Sequence, residues 1–269
     1  MSMHSTYSEY GYQIWTRFFD ESLCQRLVRH AHILVETYRA HAKSGVFTTD
    51  ESVRMDDELF IESGHSIRCF FEPGHTEAND KLVCNKIGHA LHGLDSIFSD
   101  LARQPHWLDI TDALGVKNPI VIQSMVIFKA QRLGGAVDWH QDACFLAAAP
   151  KPVLGLWLAL EDATTDNGCL WVAPGKHRQG LKRRYVRDND DRLTFVEQHP
   201  DPLDTSGAIP IEVPAGSVVA LNGLLPHSSL ANRSSKSRCA MTFHVIDGDS
   251  EFAQDNWIKE PVRTKLGTK

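Results

Sequence analysis

Trp139-His140-Gln141-Asp142 sets an imidazole and a carboxylate two positions apart. In extended backbone, side chains alternate between faces, so His140 and Asp142 share one face and can grip a single ion together. His227 stands far downstream, directly after a strand-like run and Pro226, where a returning strand could bring it beside the first pair. Two histidines and one carboxylate on one face of an octahedron leave positions open for other ligands. That arrangement is associated with Fe(II) that must take both a cosubstrate and dioxygen. A catalytic zinc uses three protein ligands and a water, so the triad by itself also admits a zinc-dependent hydrolase.

Arg238 narrows the reading. It opens the alternating run Arg238-Cys239-Ala240-Met241-Thr242-Phe243-His244-Val245. Cys239, Met241, Phe243 and Val245 form one apolar face of that run, leaving Arg238, Ala240 and Thr242 on the other. An arginine pointing into a barrel is a costly buried cation unless it meets an anion, and its fork suits two-point contact with a carboxylate. An anionic cosubstrate would supply that partner, and a salt bridge to Asp or Glu is the plainer alternative.

These residues need a scaffold that returns strands to one place. From Pro119 onward the chain reads as short β-rich runs: 120–129, 154–161, 169–172, 211–213, 217–222 and 239–246. Gly134-Gly135, Asn167-Gly168, Pro174-Gly175 and Pro214-Ala215-Gly216 punctuate them. The spacing predicts an antiparallel jelly roll closed on itself, mainly β with flanking α-helices. Ahead of it, apolar residues at three- and four-residue steps predict helices over 21–43 and about 79–101, with a third around 107–114. One domain over 1–269 is expected, with helical support to about 118 and the jelly-roll core over about 119–250. The polar stretch 182–206 mixes Arg183, Arg184, Arg187 and Arg192 with aspartates and reads as a long loop.

With 42% hydrophobic residues, 269 residues can bury one good-sized core. The formal charge is −6 with both signs interspersed, so no basic face recruits nucleic acid, and no apolar run suits a bilayer. A small molecule is the expected partner. The N-terminus lacks the charged-then-apolar order of a secretory signal, and the six cysteines lack metal-finger spacing. Free thiols in a reducing, cytoplasmic compartment are the expectation. The oligomeric state is not legible.

Several segments together resemble the phytanoyl-CoA dioxygenase family of Fe(II)- and 2-oxoglutarate-dependent oxygenases. They are Asn85-Lys86-Ile87-Gly88-His89-Ala90-Leu91-His92, the run 123–129, His140-Gln141-Asp142-Ala143 with Phe145-Leu146, and Glu161-Asp162-Ala163-Thr164 leading to Asn167-Gly168-Cys169-Leu170-Trp171. Pro174-Gly175 with His177 and Thr242-Phe243-His244 complete the set. The resemblance spans nearly the whole chain and implies a double-stranded β-helix of the cupin-like kind. It implies that His140, Asp142 and His227 bind Fe(II) and that Arg238 anchors the far carboxylate of 2-oxoglutarate, with O2 as the other cosubstrate. By the same resemblance Lys86, Met125, Gln141, Trp157 and Ser229 match positions lining the 2-oxoglutarate pocket. Read bottom-up, Trp157 is equally a core aromatic, Met125 a gap filler and Lys86 a solvated helix edge.

The implied reaction couples oxidative decarboxylation, giving succinate and CO2, to oxidation of a substrate C–H. Asp142 keeps a carboxylate where halogenating relatives lack one, which favours hydroxylation. The segment after Gly180 is shorter and more charged than in the relatives, so the substrate does not transfer by analogy. Lys129, Trp139, Phe145 and the loop 182–191 are the expected substrate contacts. A CoA ester would use Lys182, Arg183, Arg184 and Arg187 on phosphates, where a solvated loop is the plainer reading. His89, His92, His177 and His244 lie off the ligand spacing and read as structural hydrogen bonders. A jelly roll that binds metal and 2-oxoglutarate without catalysis is the rival from another class.

Overall fold

Leu154-Gly155-Leu156-Trp157-Leu158-Ala159 and the Arg238 run show how the core is divided. Leu154, Leu156, Leu158, Cys239, Met241, Phe243 and Val245 pack on one side of a sheet, against the helices. Trp157, Ala159 and Ala240 pack on the other side, against a second sheet. Period-two alternation has made two buried faces of different character.

The computed structural model describes residues 3–39, 45–46, 58–76 and 82–268. Among the described residues the large sheet has nine strands. In order across it run β1 (Tyr12–Trp15), β13 (Val218–Asn222), β8 (Leu154–Ala159), β15 (Arg238–Asp247), β5 (Pro119–Lys129), β4 (Leu82–His89), β3 (Ile67–Thr76) and β2 (Gly45–Val46), with β17 (Thr264–Lys265) also on β5. The small sheet is β12 (Ile209–Ile211), β9 (Leu170–Val172), β14 (His227–Ser229) and β6 (Val137–His140). Two further pairs are β10 (Arg183–Arg187) with β11 (Leu193–Glu197), and β7 (Ala148–Ala149) with β16 (Glu251–Phe252). Apart from the parallel β2–β3 pair, the named strands pair antiparallel. The two sheets share a core of Trp157, Leu170, Val172, Ile211, Val219, Leu221 and Leu225, which is the double-stranded β-helix arrangement.

On the outer face the helix Glu21–Arg39 buries Leu27, Ala31, Leu34 and Val35 at helical spacing. Residues 40–43 of the expected helix lie outside the described residues. Each of the leucines and the valine contributes roughly 1.5–3 kcal/mol of burial, so Leu27→Ala would cost about 2–5 kcal/mol with its cavity. The third expected helix is present over His106–Ala113, and its Trp107 is fully buried with Nε1 donating to Leu101 O at 2.8 Å.

Two expectations fail. Residues 82–89 are not helical but form β4, paired to β3 on one side and β5 on the other. Helix resumes only at Leu91–Leu94 and Ser96–Ala102. Both faces of β4 are covered, so its residues are nearly all buried and no alternation survives for a pattern to detect. Ile87, Ala90, Leu91 and Leu94 then imitate a helical stripe. Residues 79–81 of the expected helix lie outside the described residues. The N-terminal region is therefore not only helical support, since β1 to β4 extend the large sheet.

The expected loop 182–206 instead contains the hairpin β10–β11. Its turn is tied by Asp188 Oδ1, which accepts from the backbone N–H groups of Asp190 and Arg192 at 2.9 and 2.8 Å. Tyr185, Leu193 and Phe195 join an end cluster with Phe60, Phe145, Leu146 and Trp257. All six cysteines are free thiols. No helix among the described residues is long and apolar enough to cross a membrane.

Candidate active site

The small sheet brings the metal donors together by register. In the pairing of β14 with β6, His227 lies directly opposite His140, and the two imidazole centroids are 4.2 Å apart. Gln141 is extended, at φ −118° and ψ 131°, and Asp142 opens the one-turn helix Asp142–Phe145 that follows. One ligand atom each from His140, Asp142 and His227 lies within 4.8 Å of the others.

The protons on these rings follow from their partners. His140 Nδ1 faces Asp138 O at 2.7 Å and His227 Nδ1 faces Leu225 O at 3.0 Å. A carbonyl only accepts, so each Nδ1 carries a hydrogen, and in the neutral imidazole Nε2 then keeps its lone pair. Those two lone pairs look at Asp142 Oδ1, at 3.8 and 3.6 Å. Burial, and after it the nearby His227, push the His140 imidazole down to about 3, so the ring stays neutral. Burial would raise the Asp142 carboxyl, but His244, whose Nε2 faces Oδ1 at 3.2 Å, outweighs it and holds it well below the usual carboxylate range. Nitrogen lone pairs converging on an ionised oxygen are repelled by it unless a cation sits between them. This donor set fits a divalent metal, and the backbone carbonyls behind both imidazoles are the supports such ligands use.

Arg238 starts β15 and is 2% exposed. Its Nε donates to Gly168 O at 3.2 Å, its guanidinium lies 5.7 Å from the Trp157 ring, and its Nη1 is buried without a partner. Among the described residues no carboxylate pairs with it. Burial lowers it to about 10, still a cation at neutral pH. Thr242 Oγ1, two pleats along the same face, is likewise buried without a partner. An orphaned guanidinium N–H and an orphaned hydroxyl on one strand face of the same cavity fit a carboxylate ligand.

A cavity of about 230 Å³ joins these groups. Lys86, Met125, Trp157, Ser229 and Arg238 line it, from β4, β5, β8, β14 and β15 in turn. Lys86 lies on a strand rather than a helix edge, 4.9 Å from the Phe70 ring centroid. Gln141 does not line the cavity. Its Nε2 donates to Gly180 O and Leu224 O at 2.9 and 2.7 Å and its Oε1 accepts from Lys182 N at 3.0 Å, so it ties the surrounding loops together.

Of the expected substrate contacts, Trp139, Phe145 and Arg183 line the cavity. Lys129 does not: it lies across from Arg238 in the β5–β15 pairing, donating to Gly135 O, and burial followed by the charge of Arg238 lowers it to about 7. The aromatic wall of Phe60, Phe195 and Trp257 was not anticipated. Arg184, one of the candidate phosphate contacts, is spent on Asp255 in two contacts of 2.9 and 2.7 Å. His92 and His177 act as structural hydrogen bonders, on Ser124 and Val262 O and on Ser8 O. His89 meets Ser63 Oγ at 2.8 Å and also faces the cavity. His244 fits that reading too, but its partner belongs to the metal site: its Nε2 lies 3.2 Å from Asp142 Oδ1. The signal was available in the alternation Arg238, Ala240, Thr242, His244.

Comparison with known proteins gives the fold and the lineage. The family model described as phytanoyl-CoA dioxygenase (PhyH) matches residues 7–240. A phytanoyl-CoA dioxygenase of Arabidopsis thaliana is 38% identical over 256 residues, covering 93% of this chain and 89% of the relative. Phytanoyl-CoA dioxygenase domain-containing protein 1 of Danio rerio is 35% identical over 266 residues, covering 93% and 91%. Among solved structures, EctD from S. alaskensis with bound Fe aligns at TM-score 0.67 and 16% identity, over 98% of this chain and 85% of that one. The epimerase SnoN in complex with Fe3+, alpha ketoglutarate and nogalamycin RO aligns at TM-score 0.62 and 14% identity, over 93% and 84%. The structural likenesses speak to the fold, and the sequence matches decide the lineage: the chain belongs to the phytanoyl-CoA dioxygenase family.

Proposed function

We propose that this protein is an Fe(II)- and 2-oxoglutarate-dependent oxygenase that hydroxylates a small molecule. His140, Asp142 and His227 hold the iron in this reading, and Arg238 holds the far carboxylate of 2-oxoglutarate. The observation that carries it is the pair of imidazole lone pairs, each fixed by an Nδ1–H···O=C bond, aimed at the same ionised carboxylate oxygen. With iron, 2-oxoglutarate and O2 bound, the site would supply oxidative decarboxylation to succinate and CO2 coupled to C–H hydroxylation.

The chain's own residues supply position and exclusion. The buried Arg238 offers its unpartnered Nη1 to an anion, and Thr242 adds a hydroxyl on the same face. Trp157, Met125 and Ser229 close the cosubstrate end, with Lys86 as a further cation on the cavity wall. Trp139, Phe145 and Phe195 make an apolar wall on the substrate side, limiting water near the reacting carbon. Six thiols, five of them buried, suit a reducing, cytoplasmic setting.

The test is anaerobic loading with Fe(II), titration with 2-oxoglutarate while following the visible charge-transfer band, then succinate release on admitting oxygen. His227→Ala and Arg238→Ala serve as controls. Band and succinate in the wild type, lost in both variants, are expected. Neither signal in properly metallated protein would sink the oxygenase reading in favour of a binding protein or a zinc-dependent enzyme.

A further inference from the structure

Asp142 Oδ1 has three imidazoles around it, and only two of them are built as metal ligands. His140 and His227 each donate Nδ1–H to a backbone carbonyl, which leaves Nε2 bare. His244 has the opposite construction. Its Nδ1 is buried with no partner to receive a hydrogen, while its Nε2 lies 3.2 Å from the carboxylate oxygen. An ionised carboxylate only accepts, so the His244 proton belongs on Nε2 and points at Asp142.

Resting on the iron-site reading above, we propose that His244 is a positioning residue. Its Nε2–H donates to Asp142 Oδ1 and holds that carboxylate in the orientation the metal requires, without itself ligating. Three features of the fold support the assignment. His244 is 4% exposed and sits in β15 between β5 and β8, so its ring is carried by a strand bonded on both sides. Directly across from it on β8 is Gly155, where a Cβ would stand 2.7 Å from Asp142 Oδ2. The carboxylate is thus seated between a donor on one strand and a missing side chain on the next. Finally, β15 also carries Arg238 and Thr242 on the same face, so one strand would set the bearings of both the metal carboxylate and the cosubstrate anchor.

The experiment compares the wild type with His244→Gln, His244→Asn and His244→Leu. Two quantities are measured: the Fe(II) dissociation constant, by anaerobic competition with a chromogenic chelator, and the melting temperature of metal-free protein. Gln can place an amide N–H near the position of Nε2, whereas Asn is too short and Leu has no donor. Asn and Leu should bind Fe(II) about 10- to 100-fold more weakly, the usual effect of losing a support behind a ligand, with Gln within about threefold of wild type. The charge-transfer band with 2-oxoglutarate should move in Asn and Leu and stay in Gln. If Leu does not fold, the Gln and Asn pair decides. Equal Fe(II) affinity and an unmoved band in all folded variants would overturn the inference while leaving the iron site standing, as would Gln binding no better than Asn. Failure of the wild type itself to bind Fe(II) would instead overturn the iron-site reading and this inference with it.

Discussion

Adding one methyl group at Gly155 should separate the stability of the fold from its capacity for metal. The new Cβ would lie 2.7 Å from Asp142 Oδ2 and 3.5 Å from Leu221 Cβ. Carbon and oxygen tolerate about 3.3 Å, so the carboxylate must retreat by roughly 0.6 Å. A site of this kind needs its groups within about 0.5 Å, and a displacement near 1 Å costs about 100-fold. Gly155→Ala should therefore weaken Fe(II) binding about tenfold or more, roughly 1.4 kcal/mol. The backbone itself is no obstacle, because Gly155 is not among the positive-φ glycines. Alanine in a strand interior gains about 0.5–1 kcal/mol over glycine through the unfolded state. The metal-free variant should thus melt within about 2–4 °C of wild type, or above it. Differential scanning calorimetry of metal-free protein and chelator competition for Fe(II) read the two effects separately. Unchanged Fe(II) affinity would refute the placement of Asp142 at the metal. A collapse of the metal-free melting temperature would refute the claim that Gly155 serves the site rather than the fold.

Other outcomes follow from the same geometry. Arg238→Met removes a buried cation that has no carboxylate partner, so isothermal titration should show 2-oxoglutarate binding weakened about 10- to 150-fold, from 1.5–3 kcal/mol of charged hydrogen bonding. The metal-free melting temperature should hold or rise, and undiminished 2-oxoglutarate affinity would sink the anchor. His92 is lowered by burial from 6.5 to about 4 in the folded state, so the unfolded chain takes up its proton first. Stability from His92 is complete above pH 6.5 and is lost as pH falls toward 4. Urea unfolding at pH 7 and pH 5 should differ by about 2 kcal/mol on this account. His92→Leu should remove that part of the slope, and an unaltered slope would rule the group out. Breaking the Arg184–Asp255 clamp with Arg184→Ala should cost under about 1 kcal/mol globally, because Asp255 is half exposed. It should nonetheless speed limited proteolysis within 183–197, and an unchanged cleavage rate would show that the clamp does not hold the hairpin.

What the sequence made legible follows from where each segment is buried. β15 could be read residue by residue because its two faces meet different things, helices on one side and the polar cavity on the other. The spacing of His140 and Asp142 was equally plain, since one extended residue separates them. β4 was misread because pairing on both edges and cover on both faces erase alternation, leaving leucines and isoleucines at accidental helical steps. The β10–β11 hairpin was misread because its charges dominate the composition. In three dimensions those charges are edge groups, Arg184 on Asp255 and Arg187 on Asp191, flanking an apolar Tyr185 and Phe195. His244 was read as a hydrogen bonder with no partner named, because only ligand spacing was applied to it; continuing the alternation past Thr242 puts it on the cavity face.

The position of Arg238 on a doubly paired central strand has a consequence for the protein's lifetime. A strand that begins paired to β5 at Arg238 and is held between β5 and β8 from Ala240 to Val245 opens with the core of the molecule rather than by fraying of a loop. Any carboxylate held by Arg238 therefore binds the native state and not a local substate. At a hundred times its dissociation constant it adds about 2.7 kcal/mol to the stability of the entire chain. Occupancy then sets the fraction of molecules exposed to proteases, and a fall in the free concentration of that carboxylate becomes a fall in the abundance of the protein.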